Sequence, residues 1–482
     1  MKKRDYSKEE TILKYKIWLS ILLVISFLAG CSLPLGNSKQ DSLRDDRTET
    51  LGLTPDFSYE VIEQLPNILI NQVGYLPESS KVAILQGNEL DNIFYVYNAI
   101  TNKQEYSGTL TPDSLFKEKQ EEVREVDKEE EKKENYLADF SQLDKVGTYY
   151  IYHPDLGYSY EFEIKENIYD NVEKALLALL EKENNDTSLI CYQMTCLLFT
   201  KELYSKYVVD AERVEQLCRQ KVELLLQAQD EKTGSIYANA GIARQLKDKD
   251  EAQKQQYISL AATAEFAGVM AMYAYGAKST DRALAERCQI AAEKAYSSIQ
   301  NSLDNVGYDA GYFAATYLYR LTGRGKYSGA IQQYVAMKEE QKSYTEYDFS
   351  LFGDYAYITL PQGTKIEIGD AFMKKMMSKA EENSLTSGRK SYYVSEKREY
   401  NDIDGNLRDM SNMALVNYII TNHEYSTLLK NYVDFFLGRN PDNICYLEGF
   451  GSRNAGQEGS KINEINAGLF YLLLQSAKNQ ME

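Results

Sequence analysis

Tryptophan and histidine are almost missing from this 482-residue chain: the only tryptophan is Trp18, near the N-terminus, and the only histidines are His153 and His423. The six cysteines contain no Cys-x-x-Cys pair, so a cysteine–histidine metal site has no ligand set to draw on. No acid-rich run resembles a calcium-binding helix–loop–helix, and no metal or cofactor is expected. Excess positive charge is also missing. The net charge of −18 excludes the usual electrostatic basis for holding nucleic acid. Cys191, Cys196, Cys218 and Cys288 fall in expected helices and Cys445 in a loop. Buried thiols are the expectation for the helical four, although an exported chain leaves a disulfide open.

What is present is tyrosine, with 40 copies against a hydrophobic fraction of 43% and a charged fraction of 26%. Tyrosine offers a stacking face and a hydroxyl, which suit sugars, but the same two features suit any half-buried surface. The length accommodates two domains with full cores.

The chain begins with a basic region, Lys2, Lys3, Arg4, Lys14 and Lys16, followed by an apolar run from Ile17 to Ala29. That run is short for a membrane span. It ends Leu28-Ala29-Gly30-Cys31, which resembles the lipobox of bacterial lipoproteins. The resemblance implies cleavage before Cys31 and a diacylglyceryl thioether on its sulfur, with an uncleaved anchor helix as the alternative. Either places the remainder outside the cytoplasm, tied to the bacterial cell membrane. Residues 1–30 are therefore expected to be a signal peptide and 31–66 a polar tether.

From residue 67 to 166 the pattern is that of strands. ILIN, KVAIL, NIFYVYNA, YLADF, GTYYIYH and YSYEFEI are short and rich in β-branched or aromatic residues. In the last, Tyr158, Tyr160, Phe162 and Ile164 alternate with Ser159, Glu161 and Glu163, which predicts one half-buried strand. Six or seven such strands predict an antiparallel β-sandwich. The segment 117–134 interrupts it with fifteen charged residues of eighteen, and is expected to be a solvated insertion.

From residue 167 to 482 helical periodicity dominates. About twelve helices are predicted, near 168–182, 188–207, 211–229, 256–276, 281–300, 308–322, 326–336, 347–359, 367–382, 409–421, 424–438 and 463–478. Taken pairwise with short connections, they suggest an all-α toroid of six hairpins, (α/α)6.

Six stretches carry a family resemblance. ILINQVGYLPESSKVAIL (68–85) resembles the immunoglobulin-like module that precedes many glycoside hydrolase family 9 domains. ATAEFAGVMAMYAY, ERCQIAAEKAY, AGYFAATYLYRLTGRGKY and SNMALVNYIITNHEY resemble successive helices of that family's barrel. YVDFFLGRNPDNICYLEGFG (432–451) resembles its helix end, stop and GFG turn. The resemblance spans nearly all of 67–478 and implies a β-glucan or plant-polysaccharide ligand, as polymer or oligosaccharide.

The same resemblance implies an inverting mechanism, in which one carboxylate activates water and another acid protonates the leaving oxygen, ~6.5–9.5 Å apart. The family's base lies in a glycine-rich loop, yet no glycine occurs between Gly157 and Gly234. Asp186 stands nearest that place, where it also reads as a helix cap. Tyr308-Asp309-Ala310-Gly311 imitates the missing motif, but lies too late in the chain and runs into a helix. The acid position falls on Ser460, with Glu458 and Glu464 nearby but out of register. The loop after GFG, SRNAGQEGS, lacks the family's histidine. A family scaffold with lost or altered catalysis is the expectation, with Tyr446, Phe450 and Arg453 as the residues expected to touch sugar. Two alternatives stay open: an active inverting β-1,4-glucanase or β-glycosidase using Asp186 with Glu458 or Glu464, and a non-catalytic envelope module that docks through its charged insertion.

Overall fold

The computed structural model describes residues 65–113, 134–246, 248–301, 308–337, 347–361, 363, 366–387, 392, 399–453 and 461–478. Cys31, Glu458, Ser460 and the charged insertion up to residue 133 lie outside these residues.

Among the described residues, nine strands form the N-terminal sandwich: β1 Ile68–Leu69, β2 Gly74–Tyr75, β3 Val82–Gly87, β4 Ile93–Asn98, β5 Gln104–Pro112, β6 Glu134–Asp139, β7 Gly147–His153, β8 Gly157–Tyr158 and β9 Phe162–Ile164. Their order is β1-β3-β6-β5-β4-β7-β9-β2, with β8 added to β7. Pairing is antiparallel except for β2 beside β9. β5 joins the two layers, pairing with β4 over its first part and with β6 from Leu110 onward. Alternate residues point inward, so Ala83, Leu85, Phe94, Val96, Ala138, Tyr149, Ile151, Phe162 and Ile164 make one core. The predicted single strand YSYEFEI is corrected. β8 and β9 are separate, Phe162 and Ile164 are buried, and Tyr158 is 61% exposed. Between them Ser159 turns inward and its hydroxyl accepts the Ile151 N–H at 2.9 Å, which interrupts the alternation.

The helices are α1 Asp170–Glu181, α2 Thr187–Tyr204, α3 Ala211–Gln227, α4 Ala243–Leu246, α5 Glu251–Gln255, α6 Leu260–Ala277, α7 Arg282–Ile299, α8 Tyr308–Thr322, α9 Ser328–Ala336, α10 Ser350–Ile358, α11 Ile366–Ser387, α12 Ile403–Ile419, α13 Ser426–Phe436 and α14 Ala467–Lys478. Apart from the two short ones, α4 and α5, each corresponds to a predicted helix. A two-stranded ribbon, β10 Ile236–Tyr237 with β11 Ile258–Ser259, was not anticipated.

Polarity patterning sorts these helices into two rings. α2, α6, α12 and α14 are buried around nearly their whole circumference, as helices of an inner ring must be. α1, α3, α7 and α13 each carry one apolar face and cover the ring from outside. α6 lies between α2 and α8, α8 packs on α10, and α14 closes back onto α2. Small residues set the spacing. A Cβ at Gly268 of α6 would stand 2.2 Å from the Phe313 ring of α8, and one at Gly468 of α14 would stand 2.8 Å from Cys196 of α2. The five cysteines among the described residues are buried and unbridged.

Sandwich and toroid belong to one unit, Leu65–Glu482, and the stretch 432–451 is what joins them. α13 ends at Gly438, whose φ of +130° is open to glycine and whose Cβ would lie 2.9 Å from the Ile70 carbonyl. That close approach lets Gln72 N–H donate to the Leu437 carbonyl at 2.9 Å. Gln72 Nε2 donates to the Asn443 carbonyl at 2.9 Å, and Gln72 Oε1 accepts the Arg453 N–H at 3.0 Å. Beneath them Arg439, 0% exposed, donates to the Val82 carbonyl at 2.9 Å and to Asn431 Oδ1 at 2.9 Å, and lies 3.4 Å from the Asp434 carboxylate. Asn71 Nδ2 donates to the same carboxylate at 2.9 Å. Burial pushes the Asp434 carboxyl up to about 6, against the lowering pull of Arg439. The loop expected to face a ligand is therefore the socket for the sandwich.

Candidate functional site

One end of the toroid carries a cavity of about 180 Å³ where the N-terminal ends of four inner elements converge. Tyr192 comes from the second turn of α2, Asp348 from the residue pair before α10, Asp404 and Arg408 from the first turns of α12, and Asn466 from the residue before α14. A smaller cavity of about 60 Å³ adjoins it, sharing Tyr192, Asp348, Arg408 and Leu469.

Each lining group is positioned by its own element. Asp309 on α8, buried, accepts the Phe349 N–H at 3.1 Å, and Asp348 accepts the Ser350 N–H at 2.9 Å. These two bonds fix the entry to α10 and bring Tyr347 over Tyr192, with ring centroids 5.0 Å apart and planes 20° from parallel. Asp402 caps α12 by accepting the Gly405 N–H at 3.0 Å. Asp404 then accepts from Asn466 Nδ2 at 3.0 Å, which ties the start of α12 to the start of α14. Among the described residues Arg408 Nε has no hydrogen-bond partner.

The converging helix N-termini and the guanidinium make a positive field, which two carboxylates offset. Burial raises the Tyr192 phenol well above its ordinary value, with Cys196 and Asp348 adding to the effect; it stays protonated and able to donate. Stacked rings, a forked cation and two acceptors suit a polyhydroxylated ligand. Among the described residues no group of side chains is arranged to hold a metal ion.

Of the carboxylates singled out in the sequence, Asp186 and Glu464 do not line this cavity. Asp186 is exposed and caps α2, its carboxylate accepting the Leu189 N–H at 2.9 Å. Its backbone forms an isolated bridge to Asn239, and Thr187 N–H donates to the Ala238 carbonyl at 3.0 Å. The cap reading is the one its geometry supports. Glu464 points to Lys182 at 3.9 Å. Its carbonyl accepts from Gln193 Nε2 at 2.8 Å, and Gln193 in turn accepts from the buried Lys221 at 2.8 Å. Burial lowers the Lys221 ammonium to about 8. Glu458 is outside the described residues. Asp309, set aside in the sequence as a helical residue, is buried in α8 and works as the anchor of Phe349.

Tyr446 is corrected as a sugar contact, whereas Phe450 and Arg453 are half-buried. Tyr446 is 0% exposed, its hydroxyl donating to Asp442 at 2.8 Å and its ring lying under the Lys461 ammonium at 4.2 Å. Phe450 packs against the core. Arg453 donates to the Asp442 carbonyl at 2.6 Å and is bound through its backbone to Gln72. Arg453 therefore belongs to the socket, while Tyr446 and Phe450 pack with the core of the toroid.

Residues 187–466 match the model of glycosyl hydrolase family 9. The chain belongs to this family. Residues 63–157 match the cellulase N-terminal Ig-like domain, which accounts for the sandwich. Endoglucanase D of Acetivibrio thermocellus is 27% identical over 159 residues, 33% of this chain and 20% of that protein. The matched region thus spans about a fifth of the relative's length. Among solved structures, a metagenome-derived glycoside hydrolase family 9 endoglucanase superposes with a TM-score of 0.67 at 18% identity, covering 85% of this chain and 98% of that one. A family 9 protein of Bacteroides ovatus does so with 0.65 at 16% identity and the same coverage. At such identities the likeness speaks to fold alone. It agrees with the sandwich-plus-toroid architecture that the sequence resemblance implies.

Sequence reasoning missed the cavity residues of this family 9 chain. Asp404 and Arg408 fell before the expected start of α12 at 409, because Gly405 and Asn406 weaken helical propensity there. The signal that would have found them is Asp402, an N-cap followed by the i, i+4 pair Asp404 and Arg408. Tyr347 and Asp348 sit at the margin of an expected helix, with nothing local to mark them.

Proposed function

We propose that this family 9 chain is a surface lipoprotein that recognises β-linked polysaccharide through the cavity at the N-terminal end of the inner helices, with catalysis lost or altered relative to the family pattern. The observation that carries the reading is the employment of Asp186 and Glu464: one caps α2 and the other faces Lys182, and neither lines the cavity. The lining that remains, stacked Tyr192 and Tyr347 with Arg408 and two carboxylates, suits binding of a sugar chain. The endoglucanase names of the relatives supply the ligand class. The lipid anchor rests on Leu28-Ala29-Gly30-Cys31 behind an apolar run.

A second reading, an active endoglucanase with a rearranged acid–base pair, is favoured by one observation: Asp348 and Asp404 line the same cavity. Titration calorimetry with cellohexaose and a reducing-end assay on mixed-linkage β-glucan separate the two. Recognition without hydrolysis gives heat of binding, lost in Arg408→Ala, and no new reducing ends. Reducing ends abolished by Asp404→Asn or Asp348→Asn establish the second reading, and neither heat nor cleavage on any β-glucan removes both. For the anchor, Cys31→Ala moves the chain from the membrane fraction to the supernatant; an unchanged distribution refutes lipidation at that sulfur.

A further inference from the structure

The outer face of the sandwich bears tyrosine at consecutive outward positions of neighbouring strands. Tyr95 and Tyr97 project from β4, Tyr150 and Tyr152 from β7, and Tyr158 from β8. Their inward neighbours Phe94, Val96, Tyr149 and Ile151 are each 0% exposed, so the core is filled without them. Tyr97 and Tyr150 stack with centroids 5.6 Å apart and planes 13° from parallel, and Tyr95 and Tyr152 stack at 6.4 Å and 30°. Tyr158 joins both columns, 5.5 Å from Tyr150 and 5.0 Å from Tyr152. It is 61% exposed.

Cross-strand aromatic pairs stabilise sheets, and Tyr158 makes one with Tyr152 as well; what pairing leaves unexplained is that five tyrosines fill these outward positions and end on a ring open to solvent. Charge narrows what such a surface accepts. β4, β7 and β8 contain no Asp, Glu, Lys or Arg, in a chain that is 26% charged. An anionic lipid surface or polyanion finds no cation there, and a second copy of a chain with net charge −18 is repelled. A neutral, hydroxyl-rich polymer needs what the face offers, ring surface with phenolic donors and acceptors.

We propose that this five-tyrosine face is a second, non-catalytic binding surface for a neutral polysaccharide, separate from the cavity of the toroid. The hexose-polymer class rests on the reading proposed above, but the surface does not share its residues. The test is depletion of the purified chain from solution by phosphoric-acid-swollen cellulose and by insoluble xylan. Anionic phosphatidylglycerol vesicles and sedimentation of the chain alone serve as the competing arms. Tyr97→Ala with Tyr150→Ala is expected to weaken retention on one of the two polysaccharides about tenfold, while Tyr97→Phe with Tyr150→Phe keeps most of it. Tyr158→Ala, which uncovers no core, lowers retention with an unchanged melting temperature and keeps the proposal testable if the double variant misfolds. Cellohexaose binding in the cavity stays unchanged in Tyr158→Ala and is lost in Arg408→Ala, so failure of one site is distinguishable from failure of the other. Equal retention of wild type and Tyr158→Ala, no retention on either polysaccharide, or tyrosine-dependent binding to vesicles or to a second copy overturns the proposal.

Discussion

Arg439→Met tests whether the socket joining sandwich to toroid is held by a buried charge pair. The arginine is wholly buried. Its replacement fills similar volume but removes donation to Val82 across the junction, donation to Asn431, and the cation 3.4 Å from Asp434. Breaking one side of a buried pair costs about 3–5 kcal/mol. The cost depends on pH. Asp434 is held up to about 6 by burial even with Arg439 beside it, above the ~4 of an unfolded chain. The native state therefore binds this proton more tightly, and stability is greatest below the unfolded value and falls as pH rises through 6. Without Arg439 the carboxyl titrates higher still, so at pH 7.5 the variant folds with either an unpaired buried carboxylate or a proton taken up, and both cost stability. At pH 4.5 the group is already neutral in both proteins. Thermal denaturation is expected to show a fall of about 3–6 °C at pH 7.5, and a loss smaller by about 1–2 kcal/mol at pH 4.5. Adding Asp434→Asn to the variant restores part of the loss, since no unpaired charge remains. Equal losses at both pH values, or no recovery in the double variant, would refute the charge-pair account and leave only the lost hydrogen bonds.

Three further outcomes are expected. Gly438→Ala forces a side chain onto φ +130° and within 2.9 Å of the Ile70 carbonyl, so it loses about 2 kcal/mol or more, read as a lower midpoint in urea; an unchanged midpoint contradicts the close-approach argument. Asp186→Ala loses the cap of α2 and about 1 kcal/mol, with cellohexaose binding by calorimetry unaltered; loss of binding with stability intact would return Asp186 to the site. Lys221→Met removes an ammonium that burial lowers to about 8. Because the native state disfavours the charged form, the wild type is penalised below pH 8 and relieved as pH rises towards the unfolded value of ~10.4. The variant should therefore gain stability relative to wild type near pH 7 and lose that advantage by pH 10, and a pH-independent difference in melting temperature would contradict it.

Fold class was legible in the sequence because it depends on periodicity. Phe94, Val96 and Ile151 repeat every second residue, and the apolar faces of α3 and α13 repeat at helical spacing, so strand and helix could be told apart locally. Which helices form the inner ring emerged only in the structure, where α2 and α6 are buried nearly all round. Where alternation was deceptive, as at Tyr158 to Ile164, a single side-chain bond from Ser159 had turned the strand.

The candidate site was not legible in this way. Tyr192, Asp348, Asp404 and Asn466 are far apart in sequence, and each looks locally like a helix residue or a cap. They form a cavity because α2, α10, α12 and α14 bring their N-terminal ends to one side of the ring. The stretch 432–451 shows the same division. Its helix end, glycine stop and aromatic turn could be read from residue types alone, since Gly438 and Pro441 govern the backbone where they stand. Whether Tyr446 faced a sugar or the protein interior could not, because that depends on Phe435, Phe436, Asp442 and Lys461 closing around it. Burial and hydrogen-bond partners belong to the assembled surface, and only the tertiary structure decides them.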